Sequence, residues 1–299
     1  MSTCLSSSSS CSYSNKRIII PLYIYIYIYI YIYCGRNITP LLIYRAVIFF
    51  YVVSYCIYDM VTTIRYIDGY RTFIFLTTWI YILVNCYVTL AFFNTLVDWC
   101  RMARYSSDDV AEAVPHIAEK CQWLLFNLCL SGTLCTTVVF WIMYIQYVDI
   151  RDLFFPDMMR NINLHVLPLI VMLITLIITR VEVRLAHVIY PEILGLTYVA
   201  FTLVYWRAGG TNIGGIRFIY PILDYERRPV VAALVIVAMM VAVLAAQLLF
   251  KGIYVLREYV MWKVGNRDNE VYDIERQPLT GSSVEMTEVK DTKYSEPKK

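Results

Sequence analysis

Six runs of apolar residues constrain this chain more than any other feature of its sequence. They cover residues 41–60, 72–97, 122–148, 162–179, 186–206 and 230–250. An α-helix rises ~1.5 Å per residue, so that ~20 residues cross the ~30 Å hydrocarbon core of a bilayer. Lipid offers no hydrogen bonds to the backbone, and a helix satisfies its own backbone groups. The runs therefore predict an all-α fold, a polytopic transmembrane helix bundle with six spanning helices.

The composition agrees with a chain that is immersed in lipid. Hydrophobic residues make up 59% of the 299 residues and charged residues 16%, whereas soluble domains have ~45–50% and ~25%. The mean hydropathy is +0.57. These values exclude an ordinary cytosolic enzyme and a disordered chain, and a net charge of +3 is too small to indicate a nucleic-acid partner. We expect the lipid bilayer to be the main partner.

The two ends of the chain differ from the apolar runs between them. Residues 1–39 form a low-complexity N-terminal extension with a strict Tyr-Ile alternation at 23–33. An AT dinucleotide repeat read as protein gives this pattern, so an artefact of the gene model is one interpretation, and a further short membrane segment is another. Residues 40–263 are predicted to be the six-helix transmembrane domain. Residues 264–299 are polar and mixed in charge, which predicts a disordered cytoplasmic tail.

The distribution of Lys and Arg predicts the orientation. With six helices both ends of the bundle lie on one side of the membrane. Lys and Arg near the membrane are more numerous on that side. The positive-inside rule therefore predicts that both termini are cytoplasmic. The pattern does not choose between the plasma membrane and the endoplasmic reticulum.

The sequence predicts neither a metal nor a cofactor. It has nine cysteines but no C-x-x-C pair, which argues against a zinc or dithiol centre. The glycine-rich segment 209–215 has no Lys followed by Ser or Thr, so it is not a phosphate-binding loop.

Polar residues inside the apolar runs are the candidate functional positions, because burial of an unpaired polar group is costly. In the second run Thr78, Asn85 and Thr89 share one helix face. The simplest interpretation is hydrogen bonding between helices.

Thr77 and His165 form the candidate catalytic pair. Thr77 lies six residues past Arg71, ~9 Å into the membrane if helical, and His165 lies five residues past Arg160, ~7.5 Å deep. Both helices start on the same side of the bundle, so a hydroxyl and an imidazole at one depth could be a nucleophile and its base. A structural hydrogen bond is the alternative. Same-side carboxylates could orient the imidazole, and the sequence does not choose among Asp68, Asp149, Asp152, Asp157 and Asp224.

Several short segments together resemble the rolling stone family of animal multi-pass membrane proteins. They are Leu76-Thr77-Thr78-Trp79, His165, His187-x-x-Tyr190-Pro191, Tyr205-Trp206-x-x-Gly209-Gly210-Thr211 and Ile219-Tyr220-Pro221-Ile222-Leu223-Asp224. The likeness covers about Pro40 to Lys263. The founding member of that family is associated with myoblast fusion, so the resemblance implies a role in cell–cell fusion or a related membrane process, with membrane-protein partners.

A more distant likeness is to the androgen-induced intramembrane hydrolases, which cleave fatty acid esters of hydroxy fatty acids. Their proposed catalytic pair is a membrane Thr and a membrane His. The matching positions here are Leu76-Thr77, His165 and Tyr220-Pro221. This likeness implies a lipid ester substrate, with Thr77 as nucleophile and His165 as base.

The sequence does not decide whether the chain is an enzyme. A non-enzymatic membrane protein acting in fusion is the first hypothesis, and an intramembrane hydrolase of fatty acid esters is the alternative. A transporter is less favoured because no inverted repeat is evident and no charged residue is expected deep in a helix apart from Arg45, which can extend to the interface.

Overall fold

A computed structural model describes residues 38–67, 69–104, 117–147, 155–179 and 181–275. The predictions for residues 1–37, for the connector 105–116 and for residues 276–299 lie outside this part of the chain. The described residues form seven α-helices: α1 Thr39–Thr62, α2 Leu76–Arg104, α3 Ile117–Tyr147, α4 Phe155–Asn161, α5 Leu167–Ile178, α6 Ile189–Arg207 and α7 Pro229–Glu275.

Six helical segments are long and apolar enough to cross a membrane, as the sequence predicts. They are Thr39–Ile67, Leu76–Ala103, Ile117–Tyr144, Met158–Ile178, Leu185–Arg207 and Pro229–Val260. No strand occurs in the described residues. The all-α membrane bundle is therefore confirmed.

Two helix ends differ from the sequence prediction for identifiable reasons. The second helix starts at Leu76 rather than at residue 72, since a 3-10 turn at Gly69–Ile74 precedes it. Gly69 has φ +60°, a left-handed conformation that favours glycine, and the chain reverses there between α1 and α2. The last helix continues to Glu275, well past its apolar run.

The fourth span is irregular where it carries His165. It consists of α4, a π-helical turn at Ile162–Val166, and α5. Pro168 lies in the first turn of α5 and has no N–H to donate to the preceding turn. The wider turn satisfies the backbone by a different pattern. It places His165 on the buried side, where the residue is 6% exposed.

The core lies where α2 and α3 pack against each other, with α1 against α2 and α5 against α3. Fully buried apolar side chains include Val84, Phe126, Cys129, Met172 and Leu176. Of the predicted polar residues of α2, Thr78 and Asn85 are buried and Thr89 is half-buried. However, the Asn85 amide donates to the Tyr81 carbonyl of its own helix. The Asn85 amide group therefore donates within its own helix and not to a neighbouring helix.

Hydrogen bonds between helices come from other polar residues. Arg45 of α1 donates to the Ala91 carbonyl at 3.1 Å and also to the Thr95 hydroxyl of α2. The side chain therefore bonds inside the bundle, and the expectation that it extends to the interface is wrong. Arg160 of α4 forms an ion pair with the buried Asp59 of α1 at 2.8 Å.

The chain divides into two compact units, residues 1–255 and 256–299. The first holds the helices described above as far as residue 255. In the second, the described residues are helical as far as Glu275, and Arg257 pairs with Glu258 at 2.7 Å. The three-part division predicted from the sequence stays a prediction.

Candidate intramembrane cavity

A cavity of about 390 Å³ lies within the helical bundle. Its wall consists of the start of α2, the second half of α3, the first half of α6, part of α7 and the end of the α6–α7 loop. This volume falls within the ~300–1,000 Å³ typical of small-molecule sites. The wall is mainly aliphatic and aromatic, and its polar side chains are few: Thr77, Thr136, Tyr144, Glu192, Tyr198 and Tyr220.

A proline and a glycine of α6 lie on the cavity wall, and the glycine leaves space beside the helix. Pro191 lies in the first turn of this helix and Gly195 follows one turn later, both on the cavity wall. A Cβ atom built on Gly195 would meet no other atom within 4 Å. The space beside Gly195 is therefore open, and a larger side chain there would project into it.

Thr77 lies on the cavity wall at the first turn of α2. The N–H groups of a first helical turn have no partner inside the helix. Here the Leu76 N–H donates to the hydroxyl of Tyr220 at 3.1 Å. The hydroxyl of Tyr198 donates to the Ile74 carbonyl at 2.8 Å. Two tyrosines from distant parts of the chain thus hold the start of α2 against the cavity.

Burial raises the pKa of Tyr220 above its ordinary value. Hydrogen bonds with the Tyr198 and Thr77 side chains and with the backbone at Leu76 and Thr77 act in the opposite direction and are weaker. The Tyr220 phenol therefore stays protonated at neutral pH. It can donate a hydrogen bond at the end of the cavity where Thr77 lies.

His165 lies behind the cavity wall. Its ring stacks on Phe140 of α3, with centroids 3.5 Å apart and planes inclined by 11°, and Phe140 lines the cavity. The Thr137 hydroxyl donates to the His165 carbonyl at 2.5 Å. The Nδ1 atom of His165 is buried and has no hydrogen-bond partner among the described residues. The Phe140 ring therefore lies between the His165 imidazole and the cavity whose wall includes Thr77.

Of the carboxylates considered for His165, Asp224 is the one whose side chain the structure describes. Asp224 accepts hydrogen bonds from the N–H groups of Glu226 and Arg227 and so stabilises a turn. Asp68, Asp149 and Asp152 lie outside the described residues, and so does the side chain of Asp157. In the part of the chain that the structure describes, no group of three His, Cys, Asp or Glu residues could hold a metal ion.

Sequence reasoning missed Phe140 and Glu192. Phe140 is one aromatic residue within a long apolar run, and its sequence position does not show that it covers an imidazole. The sequence could have indicated Glu192 as a candidate site residue, because it is a carboxylate inside the fifth apolar run.

The chain is similar to known proteins across the whole of this bundle. The family model described as "Protein rolling stone" matches residues 31–267, a range that includes every residue of the cavity wall. Protein rolling stone of Drosophila melanogaster is 27% identical over 206 residues, which are 67% of this chain and 72% of that protein. No solved structure matches the chain.

Proposed function

Since this chain belongs to the rolling stone family, we propose that it is a membrane protein whose cavity takes up the acyl chain of a lipid ester for hydrolysis at Thr77. The observation that carries the proposal is the position of Thr77 on the wall of an apolar cavity inside a six-span bundle. A site of this kind admits a substrate from the bilayer. It also excludes most water from the reacting groups.

The proposed reaction uses the chain's own residues. Thr77 Oγ1 attacks the ester carbonyl and gives its proton to His165, forming an acyl ester on Thr77. The bond to the leaving oxygen breaks, and His165 returns the proton to that oxygen. Water, with His165 again as base, then releases the fatty acid and restores Thr77. The protonated Tyr220 hydroxyl lies at the same end of the cavity and can stabilise the negatively charged oxygen.

Proton transfer to His165 requires the Phe140 ring to move. In the structure this ring stacks on the imidazole and lines the cavity. Rotation of one half-buried side chain would expose the imidazole, and the proposal includes that step.

Hydrolysis by purified full-length protein tests this function. We expect Thr77→Ala and His165→Ala each to abolish hydrolysis of a single-chain fatty acid ester that has no free carboxylate. Thr78→Ala is the matched control, since Thr78 is the neighbouring threonine and does not line the cavity. Wild-type protein that neither cleaves such esters nor reacts with a fluorophosphonate probe would contradict the proposal.

A non-enzymatic role in cell–cell fusion, with membrane-protein partners, is the second candidate. It is supported by family membership, and the Phe140 ring over His165 favours lipid binding without catalysis. We expect the protein at the surface of fusing myoblasts, and we expect Thr77→Ala to restore fusion in cells that lack the protein. Protein confined to the endoplasmic reticulum of non-fusing tissue would argue against this role.

We also propose that both termini are cytoplasmic, on the basis of the Lys and Arg distribution. Epitope tags at either end should bind antibody only after the plasma membrane is permeabilised. A tag detected on intact cells would reverse the orientation.

A further inference from the structure

We propose that the ligand of this cavity is a single-chain amphiphile that carries a protonated amine, and that Glu192 pairs with that amine. The inference rests on the proposed function insofar as it assumes that the cavity holds a lipid. It adds the chemical class of the headgroup and the end of the cavity at which the headgroup binds.

Glu192 is a carboxylate inside a membrane-spanning segment. It lies in the first turn of α6, within the span Leu185–Arg207, and lines the cavity beside Pro191. None of the ion pairs found among the described residues includes Glu192. A charged group at such a position is costly unless it has a partner, so it is a candidate for a functional site.

The helix dipole accounts for only part of this placement. An acidic residue in the first turn of a helix is favoured by the partial positive charge there. That preference does not require the side chain to border an apolar cavity. Glu182, which lies just outside the span, shows the alternative: it pairs with Arg184 at 2.8 Å.

The cavity has polar groups at two levels along α6 with apolar side chains between them. Glu192 and Tyr198 both line it, and six residues of helix separate them by ~9 Å along the axis. The aliphatic side chains of Leu194 and Val199 also line this part of the wall. The arrangement matches a molecule with a cationic head at one level, an apolar chain, and a second polar group near Tyr198 and Thr77.

The charge of Glu192 also selects against other amphiphiles. A fatty acid carboxylate at this level would face a like charge, which is unfavourable in a medium of low dielectric constant. A cavity volume of about 390 Å³ lies near the lower end of the range for ligand sites and favours one acyl chain over two.

Binding of tetradecylamine and of tetradecanol to the full-length protein in nanodiscs of neutral lipid tests the inference. The two probes have the same chain, and only the amine is cationic. We expect wild-type protein to bind the amine at least ~10-fold more tightly than the alcohol, as a charge-assisted hydrogen bond requires. Glu192→Gln should reduce amine binding to the level of the alcohol and leave alcohol binding unchanged. Glu182→Gln is the matched control and should change neither.

The outcomes separate this inference from the proposed function. Equal binding of amine and alcohol by wild-type protein would overturn the amine assignment, whether or not Glu192→Gln folds, while lipid binding would stand. Failure of both probes to bind would overturn both the amine assignment and the proposed lipid site. Thr77→Ala protein should keep the preference for the amine, because binding does not depend on hydrolysis.

Discussion

The ring of Phe140 covers the imidazole of His165, with centroids 3.5 Å apart and planes inclined by 11°. Phe140 belongs to the cavity wall, while His165 is 6% exposed and its Nδ1 atom has no partner among the described residues. A buried polar atom without a partner carries an energetic cost. The Phe140 ring therefore separates the His165 imidazole from the cavity. Removal of the Phe140 ring should make the imidazole accessible from the cavity.

Phe140→Ala should increase the reactivity of His165 toward diethyl pyrocarbonate. Loss of the ring opens a direct route from the cavity to the imidazole. The measurement is mass spectrometry of the His165 adduct over time in purified protein. Phe140→Leu, which keeps part of the side-chain volume, should give a smaller increase.

The control for this experiment is Phe92→Ala. Phe92 stacks on Phe49 with centroids 4.7 Å apart, in a pair that does not line the cavity. It should leave the reactivity of His165 unchanged. An unchanged reactivity in Phe140→Ala would show that another group shields the imidazole.

Most of the fold could be predicted from the sequence, because length and hydrophobicity alone determine whether a helix can cross a bilayer. The exact ends could not. The start of α2 depends on the turn at Gly69 and on a hydrogen bond from Leu76 to Tyr220, far along the chain. The π-helical turn at His165 could be anticipated only as a loosened first turn before Pro168.

One residue of the predicted pair lies on the cavity wall. The sequence placed Thr77 near one face of the membrane by helix rise, and the structure places it on the wall of the cavity. Depth does not give the direction of a side chain around the helix axis, which depends on how neighbouring helices pack. That is why the positions of Phe140 and Glu192 emerged only from the structure, and why the pairing of Thr77 with His165 stays a prediction.

Tyr220→Phe should destabilise the protein by ~1 kcal/mol, because the Leu76 N–H loses its acceptor at the start of a helix. Thermal unfolding in detergent measures this change.

The raised pKa of Tyr220 also makes the stability of the protein depend on pH, with a definite sign. The unfolded phenol ionises near its ordinary pKa of 10.0, before the folded one does. The stability from Tyr220 is therefore complete below pH 10.0 and is lost as the pH rises further.

Tyr225→Phe is the control for Tyr220→Phe. Tyr225 also forms a hydroxyl contact, with Thr202 at 2.8 Å, but it does not line the cavity. Its substitution should leave lipid binding unchanged, whereas Tyr220→Phe should weaken it. Equal effects of the two substitutions on binding would contradict a specific role for Tyr220.

Asp59→Asn should destabilise the bundle by ~3 kcal/mol, because it leaves the Arg160 charge without its carboxylate partner in a poorly solvated position. The side chain of Asp59 is 4% exposed and that of Arg160 is 29% exposed. The exposed pair Arg217–Glu226, at 3.5 Å, supplies the control: Glu226→Gln should cost less than ~0.5 kcal/mol. Chemical or thermal unfolding distinguishes the two, and similar small losses would mean that solvent reaches Arg160.

Gln247→Leu should weaken the attachment of α7. Gln247 is 1% exposed, and it bonds to two other segments of the bundle. Its Oε1 accepts from the Ser131 hydroxyl at 2.9 Å, and its Nε2 donates to the Arg184 carbonyl at 2.9 Å. Single hydrogen bonds between membrane helices contribute ~0.6–1.7 kcal/mol, so losing both should cost ~1–3 kcal/mol in unfolding free energy.

A double substitution distinguishes hydrogen bonding from packing at this position. If the Ser131–Gln247 bond carries the effect, Gln247→Leu combined with Ser131→Ala should cost less than the sum of the two single changes, since each removes the same bond. Leu248→Ala, at a side chain that is 52% exposed on the same helix, should have little effect by comparison. Strict additivity of the two single changes would show that Gln247 stabilises α7 through its packing instead.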